Sequence, residues 1–206
     1  MASLELEGVP SVRDIVIRHV AKGDFLLSSG SGSRLFLDIP ATVAEPELIH
    51  AVLRSAALNR QISNATMICG MLWSPGSLVL AGGIAALRRK PLLFVAKPET
   101  PVVPDQVHRF EIRGAKPGNG DIVLIVSDMA ITGESLEFAV SAIESSGAKC
   151  SCAVLVDRRS ADLRSRKPLS SIVLWEDLVP GNAELDVSLM TPDDYLRQFD
   201  EWSRQC

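Results

Sequence analysis

The sequence predicts an α/β fold in which a central, mostly parallel β-sheet is flanked by helices. Short, continuous apolar runs such as 92–96 and 122–126 are typical of strands that are buried on both faces. These runs alternate with longer segments of helical periodicity, which is the order of successive βαβ units. A length of 206 residues favours a single domain, because domains usually contain roughly 100–200 residues.

The chain is predicted to begin with a helix from residue 11. Ser11 and Asp14 match the capping-box pattern, and apolar residues recur at helical spacing as far as Val20. Gly23 is a suitable residue to end this helix. His19 would lie on its apolar face, and we interpret it as a structural histidine.

A hairpin and a series of alternating elements follow. The predicted elements are strands at 25–27 and 34–39 around the loop SSGSGS, a helix at 44–58, a strand at 65–72, a helix at 76–90, a strand at 91–96, a long irregular segment at 97–120, a strand at 122–126, a helix at 135–146, strands at 150–156 and 171–175, and a final helix from Thr191. The segment from 98 to 118 contains four prolines and no clean period, so we expect it to be the least ordered internal part of the chain.

Composition restricts the possible partners and compartments. The net charge of −4 argues against general binding of nucleic acid, and the basic pair Arg158-Arg159 is expected to be solvated. The first residues are acidic and contain no apolar core segment, so we do not expect a signal peptide in them, and the apolar runs are too short to span a bilayer. Cys150 and Cys152 would share one face of a strand, and no cysteine set has the spacing of a zinc site. These features are typical of a reduced, cytoplasmic protein.

The stretch IVLIVSDMAITGESLEFAV is the part of the sequence that most clearly suggests chemistry. A buried strand is interrupted at Ser127-Asp128, and the turn 131–135 leads into a helix. Ligands of open α/β sheets bind beyond the carboxyl ends of the strands, and a helix N-terminus attracts anions. We expect Asp128 to accept hydrogen bonds from the hydroxyls of a sugar. Its phosphate would bind the turn formed by Ile131, Thr132, Gly133, Glu134 and Ser135. An ordinary capped strand–turn–helix explains the spacing equally well.

The segment IVLIVSDMAITGESL resembles the ribose-5-phosphate-binding motif of type I phosphoribosyltransferases, and AIESSGAKCSCAVLVDRR continues the resemblance. Upstream, GDFLLSSGSGSRLFLD and RRKPLLFVAK resemble segments of orotate phosphoribosyltransferases. The resemblance implies a core at about 41–206 with a small N-terminal hood at about 1–40. It also implies phosphoribosyl pyrophosphate or a nucleotide as ligand, Mg²⁺ brought with the substrate, and a homodimer.

Several positions depart from the family pattern. The first acid of the paired position is replaced by Ser127, and the hood loop SSGSGS lacks the family's lysine. The glycine-containing turn at 70–77 has no basic residue, and Ala96 stands where the orotate enzymes carry arginine, although Lys97 is retained as a candidate catalytic residue. The following PETPVVPDQ has neither the lysine nor the histidine of the family's mobile loop.

Two hypotheses follow from these departures. In the first, the protein is an active phosphoribosyltransferase whose missing cations are supplied by Lys97, His108, Arg109, Arg113 or a partner subunit. Its apolar acceptor pocket would be lined by Phe25, Leu35, Phe36, Met71, Leu72 and Trp73. In the second, the protein is a degenerate relative that binds a sugar phosphate or nucleotide in a regulatory or structural role. A scaffold that binds nothing is a third reading.

Overall fold

The computed structural model describes residues 10–26, 32–96, 111–166 and 169–178. Its elements are, in chain order, α1 (Val12–Ile17), β1 (Val20–Leu26), β2 (Gly32–Leu37), α2 (Ile39–Ala44), α3 (Leu48–Arg54), α4 (Ala56–Asn64), β3 (Met67–Met71), α5 (Pro75–Arg88), β4 (Leu92–Ala96), β5 (Glu111–Gly114), β6 (Ile122–Ala130), α6 (Glu134–Glu144), β7 (Lys149–Asp157), α7 (Ala161–Arg166), β8 (Ser170–Leu174) and α8 (Trp175–Leu178).

Six strands form the central sheet in the order β5-β4-β3-β6-β7-β8, and β1 pairs with β2 in a separate antiparallel hairpin. All neighbouring strands of the central sheet are parallel except the edge pair β4–β5. The predicted α/β class with a mostly parallel sheet is therefore confirmed. The chain places β4 on one side of β3 and then returns to place β6 on the other side. The carboxyl ends of β3 and β6 consequently mark the point where strand order reverses, which is where such sheets bind ligands.

The core lies on both faces of this sheet, because successive strand residues point to opposite sides. Ile68 and Leu124 pack on the face covered by α1, α3, α4 and α5. Cys69 and Ile125, one residue further along the same strands, pack on the face covered by α6. The apolar runs of the sequence therefore belong to strands that are buried on both faces.

The first helix is shorter than predicted. The capping box of Ser11 and Asp14 is present, but α1 ends at Ile17. Val20 instead begins β1 and pairs with Leu37, so Gly23 lies within a strand and does not end the helix. Hairpin pairing has overridden the helical spacing of these residues. Nε2 of His19 lies 2.9 Å from Oε1 of Glu45, which is consistent with a structural role.

The region after the hairpin contains three helices where one was predicted. Asp38 caps α2, so the strand expected at 34–39 ends at Leu37. The helix expected at 44–58 is divided into α3 and α4 at Ser55, whose backbone is extended with ψ of 118°. Two short helices can turn separate apolar faces toward the core, which one straight helix would not do.

The expected irregular segment contains a strand. Residues 111–114 form β5, which pairs antiparallel with β4 at the sheet edge, so the prediction of an irregular segment from 97 to 120 is wrong there. Residues 97–110, the hairpin loop 27–31 and the helix predicted from Thr191 lie outside the described residues. Within the described ranges, no helix is both long enough and apolar enough to cross a membrane.

Candidate functional site

The strand that carries the candidate acid is longer than the sequence predicts. β6 continues through Ser127 and Asp128 to Ala130, because these residues pair in register with β7, where Ser127 lies beside Val154 and Ala130 beside Asp157. Asp128 is thus one of the last residues of β6, and the expectation that it follows the strand is wrong. It nevertheless lies at the carboxyl edge of the sheet, beside β3 and at the reversal of strand order.

The carboxylate of Asp128 is half-buried and is held by the protein from two sides. Its Oδ2 accepts a hydrogen bond of 2.8 Å from the hydroxyl of Ser74, and its Oδ1 accepts one of 2.8 Å from the backbone N–H of Met129. Each carboxylate oxygen has about two acceptor positions, so further hydrogen bonds can be accepted. The Asp128 side chain is therefore oriented before any ligand binds.

Two serines connect the turn after β3 to the end of β6. Ser74 caps α5 by accepting a hydrogen bond from the N–H of Ser77 at 3.3 Å, so its own proton is available for Asp128. Ser77 is fully buried; its hydroxyl accepts from the N–H of Met71 at 2.9 Å and donates to the carbonyl of Val126 at 2.5 Å. These bonds provide partners for buried backbone groups at the ends of β3 and β6 and at the start of α5, which would otherwise lack hydrogen bonds.

The loop from 131 to 135 has the features of an anion-binding turn. Gly133 adopts φ of +90°, a left-handed conformation that favours glycine, and precedes the first residue of α6. Its carbonyl accepts from the N–H groups of Leu136 and Glu137. Within the described part of the chain, the N–H groups of Thr132, Gly133 and Ser135 have no protein acceptor. These residues line a cavity of about 400 Å³, which is large enough to hold a ligand.

The cavity at this loop is lined by a helix end and by no basic side chain. Residues 127 and 129–136 line the cavity, and they include no lysine or arginine. Glu134 is exposed, so water screens its carboxylate. The attraction for an anion therefore rests on unpaired N–H groups and on the dipole of α6, an arrangement that suits phosphate.

A buried ion pair lies behind the loop and was missed by the sequence reasoning. Asp157 and Arg159 are 1% and 3% exposed, and the guanidinium donates to both carboxylate oxygens at 2.9 and 2.8 Å. A β-carbon built on Gly133 would lie 3.7 Å from Cδ of Arg159, so the arginine stem supports the loop. The expectation of solvated Arg158-Arg159 is wrong. The available signal was the aspartate two positions before Arg159, an opposite charge close enough along the chain to pair with it.

The neighbouring Arg158 joins the hairpin to the C-terminal strand region. Its guanidinium donates to the hydroxyl of Ser33 at 2.8 Å and lies 4.4 Å from the ring centre of Trp175. Burial lowers the pKa of Arg158 from its usual value. The hairpin is consequently tied to the sheet near its ligand-binding edge by a cation–π contact and a hydrogen bond.

The residues expected to line an acceptor pocket are divided between surface and core. The rings of Phe25 and Phe36 stack with centres 5.3 Å apart on the hairpin. Leu72 is exposed and Trp73 is half-buried in the turn after β3. The side chain of Met71 is 1% exposed within the α6-side core, and Leu35 is also buried in the core. Neither of these two side chains is open to a ligand, because strand alternation turns them inward.

The expected cations lie in two places. Lys97, His108 and Arg109 are outside the described residues. Arg113 is on the edge strand β5 and pairs with Glu111 at 2.9 Å. Among the described residues there is no cluster of three or more histidine, cysteine, aspartate or glutamate side chains that could hold a metal.

Several known proteins with related sequences are named orotate phosphoribosyltransferase. The chain is 31% identical over 142 residues to orotate phosphoribosyltransferase of Methanothermobacter thermautotrophicus, which covers 68% of this chain and 73% of the relative. The corresponding protein of Methanocaldococcus jannaschii is 32% identical over 138 residues, covering 66% and 73%. This chain belongs to the type I phosphoribosyltransferase family. It is similar within that family to the orotate enzymes, although no protein-family model matches it.

Solved structures agree with this family. Orotate phosphoribosyltransferase from Aeropyrum pernix superposes with a TM-score of 0.64 at 25% identity, covering 79% of this chain and 91% of that one. The Mycobacterium tuberculosis enzyme, solved with phosphoribosyl pyrophosphate, superposes with a TM-score of 0.59 at 20% identity, covering 81% and 96%. The second comparison supports the fold alone. The family resemblance that the sequence suggested is therefore confirmed.

Proposed function

We propose that this protein binds the 5-phosphoribosyl group of phosphoribosyl pyrophosphate or of a nucleotide. The phosphate would be held by the N–H groups of Thr132, Gly133 and Ser135, and the ribose hydroxyls would donate to Asp128. The observation that carries this proposal is the set of residues with unpaired N–H groups that lines a cavity at the carboxyl edge of the sheet. Transfer of the phosphoribosyl group to a nucleobase-like acceptor is supported by the relatives, which are named orotate phosphoribosyltransferases.

Binding without turnover is the second candidate. Departure of pyrophosphate requires positive groups placed on the developing charge, and losing one such donor costs about 2.7–4 kcal/mol of transition-state stabilisation. Ser127 replaces one acid of the family pattern, and the described residues of the cavity and of the turn 72–77 include no lysine or arginine. These features favour a protein that retains the sugar-phosphate site but transfers slowly or not at all.

Magnesium would enter with the substrate. Mg²⁺ is commonly bound by one or two carboxylates together with substrate phosphates. Asp128 is a carboxylate at the same edge of the sheet with acceptor positions left over, so it fits the role of such a protein ligand. When bound, the ion would neutralise charge on the pyrophosphate. A homodimer in the cytoplasm is part of the same proposal and rests on the family.

Thermal unfolding with added ligands tests the binding proposal. Ribose 5-phosphate, nucleoside monophosphates and phosphoribosyl pyrophosphate should each raise the melting temperature, since a ligand at 100 times its Kd stabilises by about 2.7 kcal/mol. No shift with any of them, with or without Mg²⁺, would contradict the proposal. An orotate assay separates the two candidates. Turnover above about 1 s⁻¹, within the ordinary range for enzymes, would support the active transferase.

A further inference from the structure

A second cavity, of about 500 Å³, runs along α6 between this helix and β7. It shares Thr132, Gly133 and Leu136 with the cavity at the 131–135 loop and extends to Glu144 in the last turn of the helix. Residues 133 and 144 are about 16 Å apart along the helix axis, at about 1.5 Å per residue. Cavities that bind small organic molecules usually measure about 300–1,000 Å³. This cavity therefore has the size of a ligand site and reaches well beyond the loop.

The middle of the cavity has an apolar wall. Leu136 and Val140 contribute to it from α6, Cys152 from β7, and Leu169 from the segment before β8. Burial raises the pKa of the Cys152 thiol to about 11, and the negative charge of Glu144 acts in the same direction. The thiol is therefore uncharged near neutral pH and behaves as a small apolar group. Such a wall suits the ring or hydrocarbon part of a ligand.

The cavity is negatively charged at the end of α6. The carboxylate of Glu144 is exposed, and none of the described residues forms an ion pair with it. The last turn of α6 contains no basic residue, so the negative end of the helix dipole is not compensated there either. Glu137 adds a second carboxylate to the wall, whereas the charge of Arg159 is neutralised by Asp157 in the buried ion pair. A cation would be stabilised at this end of the cavity.

From the shape, the apolar wall and the charge we propose that this cavity binds a small molecule with an apolar ring and a positively charged amine. The ring would pack against Val140 and Cys152, and the amine would bind the carboxylate of Glu144. This site goes beyond the proposed function and does not depend on it, because neither the ring nor the amine uses the N–H groups of the 131–135 loop.

Calorimetric titration of the full chain with three indole derivatives tests this proposal. Tryptamine carries an amine, tryptophol carries a hydroxyl in its place, and indole-3-acetate carries a carboxylate. We expect tryptamine to bind about threefold more tightly than tryptophol, the size expected of one exposed charge pair, and indole-3-acetate to bind most weakly. Equal affinities for the three probes would overturn the charge preference. No binding of any of them would overturn the site itself, and would indicate that another part of the chain or a second copy fills the cavity.

Variants with matched controls locate the binding. Glu144→Gln should abolish the preference for tryptamine over tryptophol, whereas Glu47→Gln, which removes the same charge from an exposed position before α3, should preserve it. Val140→Phe should weaken both probes about tenfold or more, because it fills the cavity, and Cys152→Met does the same from the opposite wall. Phe138→Leu, at an exposed position of α6 outside the cavity wall, should change neither affinity. A preference that survives Glu144→Gln, or affinities that survive both cavity-filling variants, would overturn the proposal.

Discussion

Replacing Gly76 with alanine should disturb the contact between α5 and the candidate acid. A β-carbon at this position would lie 2.5 Å from Oδ2 and 2.7 Å from Cβ of Asp128, and 2.6 Å from Cγ2 of Ile39. Atoms this close cannot coexist, so the helix start, Asp128 or Ile39 must move. Asp128 is fixed on a paired strand and bonded to Ser74, and these contacts oppose its movement.

The size of the effect follows from two opposing contributions. Forcing an extra methyl group into a packed site costs about 1–3 kcal/mol. Alanine is better than glycine inside a helix by about 0.5–1 kcal/mol, although this gain is smaller in the first turn. We therefore expect Gly76→Ala to lower the free energy of unfolding by about 1–2 kcal/mol, or to lower the melting temperature by about 2–8 °C for a chain of this size.

Gly82 supplies the matched control on the same helix. A β-carbon there would meet no atom within 4 Å, so Gly82→Ala should gain about 0.5–1 kcal/mol of stability. Urea unfolding of both variants measures the difference. Gly76→Ala should also weaken ribose 5-phosphate, because it displaces Asp128, whereas Gly82→Ala should not. Equal stability of the two variants would refute the packing assigned to Gly76.

Three further predictions concern the loop and the core. Gly133→Val should weaken the binding of ribose 5-phosphate and of inorganic phosphate alike, because φ of +90° strains a β-branched residue. A calorimetric titration in which only one of the two affinities falls would contradict this. Arg159→Met should lower the free energy of unfolding in urea by about 3–5 kcal/mol, because it leaves Asp157 buried and unpaired. Adding Asp157→Asn should restore most of this stability, and no restoration would argue against the ion pair. Burial raises the pKa of Cys69 from 9.0 to about 12, so the free energy of unfolding should fall as pH rises from 9 toward 12, by up to about 1.4 kcal/mol per pH unit more than in Cys69→Ala. If the free energy of unfolding of the two proteins depends on pH in the same way, this prediction is wrong.

The sheet could be predicted from the sequence because its strands are buried on both faces. Runs such as 92–96 and 122–126 leave little alternative to a parallel sheet covered by helices, and the same runs became β4 and the first part of β6. The end of β6 was not predictable in this way. Ser127 and Asp128 look like a break, but pairing with β7 continues through them, and a single sequence does not reveal such pairing.

Elements set by long-range contacts were missed for similar reasons. β5 contains only four residues with one half-buried isoleucine, Ile112, and exists because the edge of β4 offers hydrogen-bonding groups. Helical spacing predicted α1 as far as Val20, yet pairing with Leu37 places Val20 in the hairpin. In both cases a partner distant along the chain decides the local structure.

The candidate loop was predictable, whereas its surroundings were not. Glycine and hydroxyl residues before a helix identify 131–135, and the structure adds its free N–H groups and cavity. The partners of Asp128 could not be predicted. Ser74 is 54 positions away along the chain, and only the adjacency of β3 and β6 brings it within hydrogen-bonding distance.

Titration of Asp128→Asn with ribose 5-phosphate and with inorganic phosphate tests the central claim most directly. The amide can still accept from Met129 N–H and donate to Ser74 Oγ, so the fold should tolerate it. It loses the charge that strengthens hydrogen bonds from ribose hydroxyls, which contribute about 1.5–3 kcal/mol each to a charged group. The account predicts about tenfold or greater weakening of ribose 5-phosphate with phosphate nearly unchanged. Equal changes in both affinities, or a loss of stability without separation of the ligands, would show that Asp128 only holds the turn together.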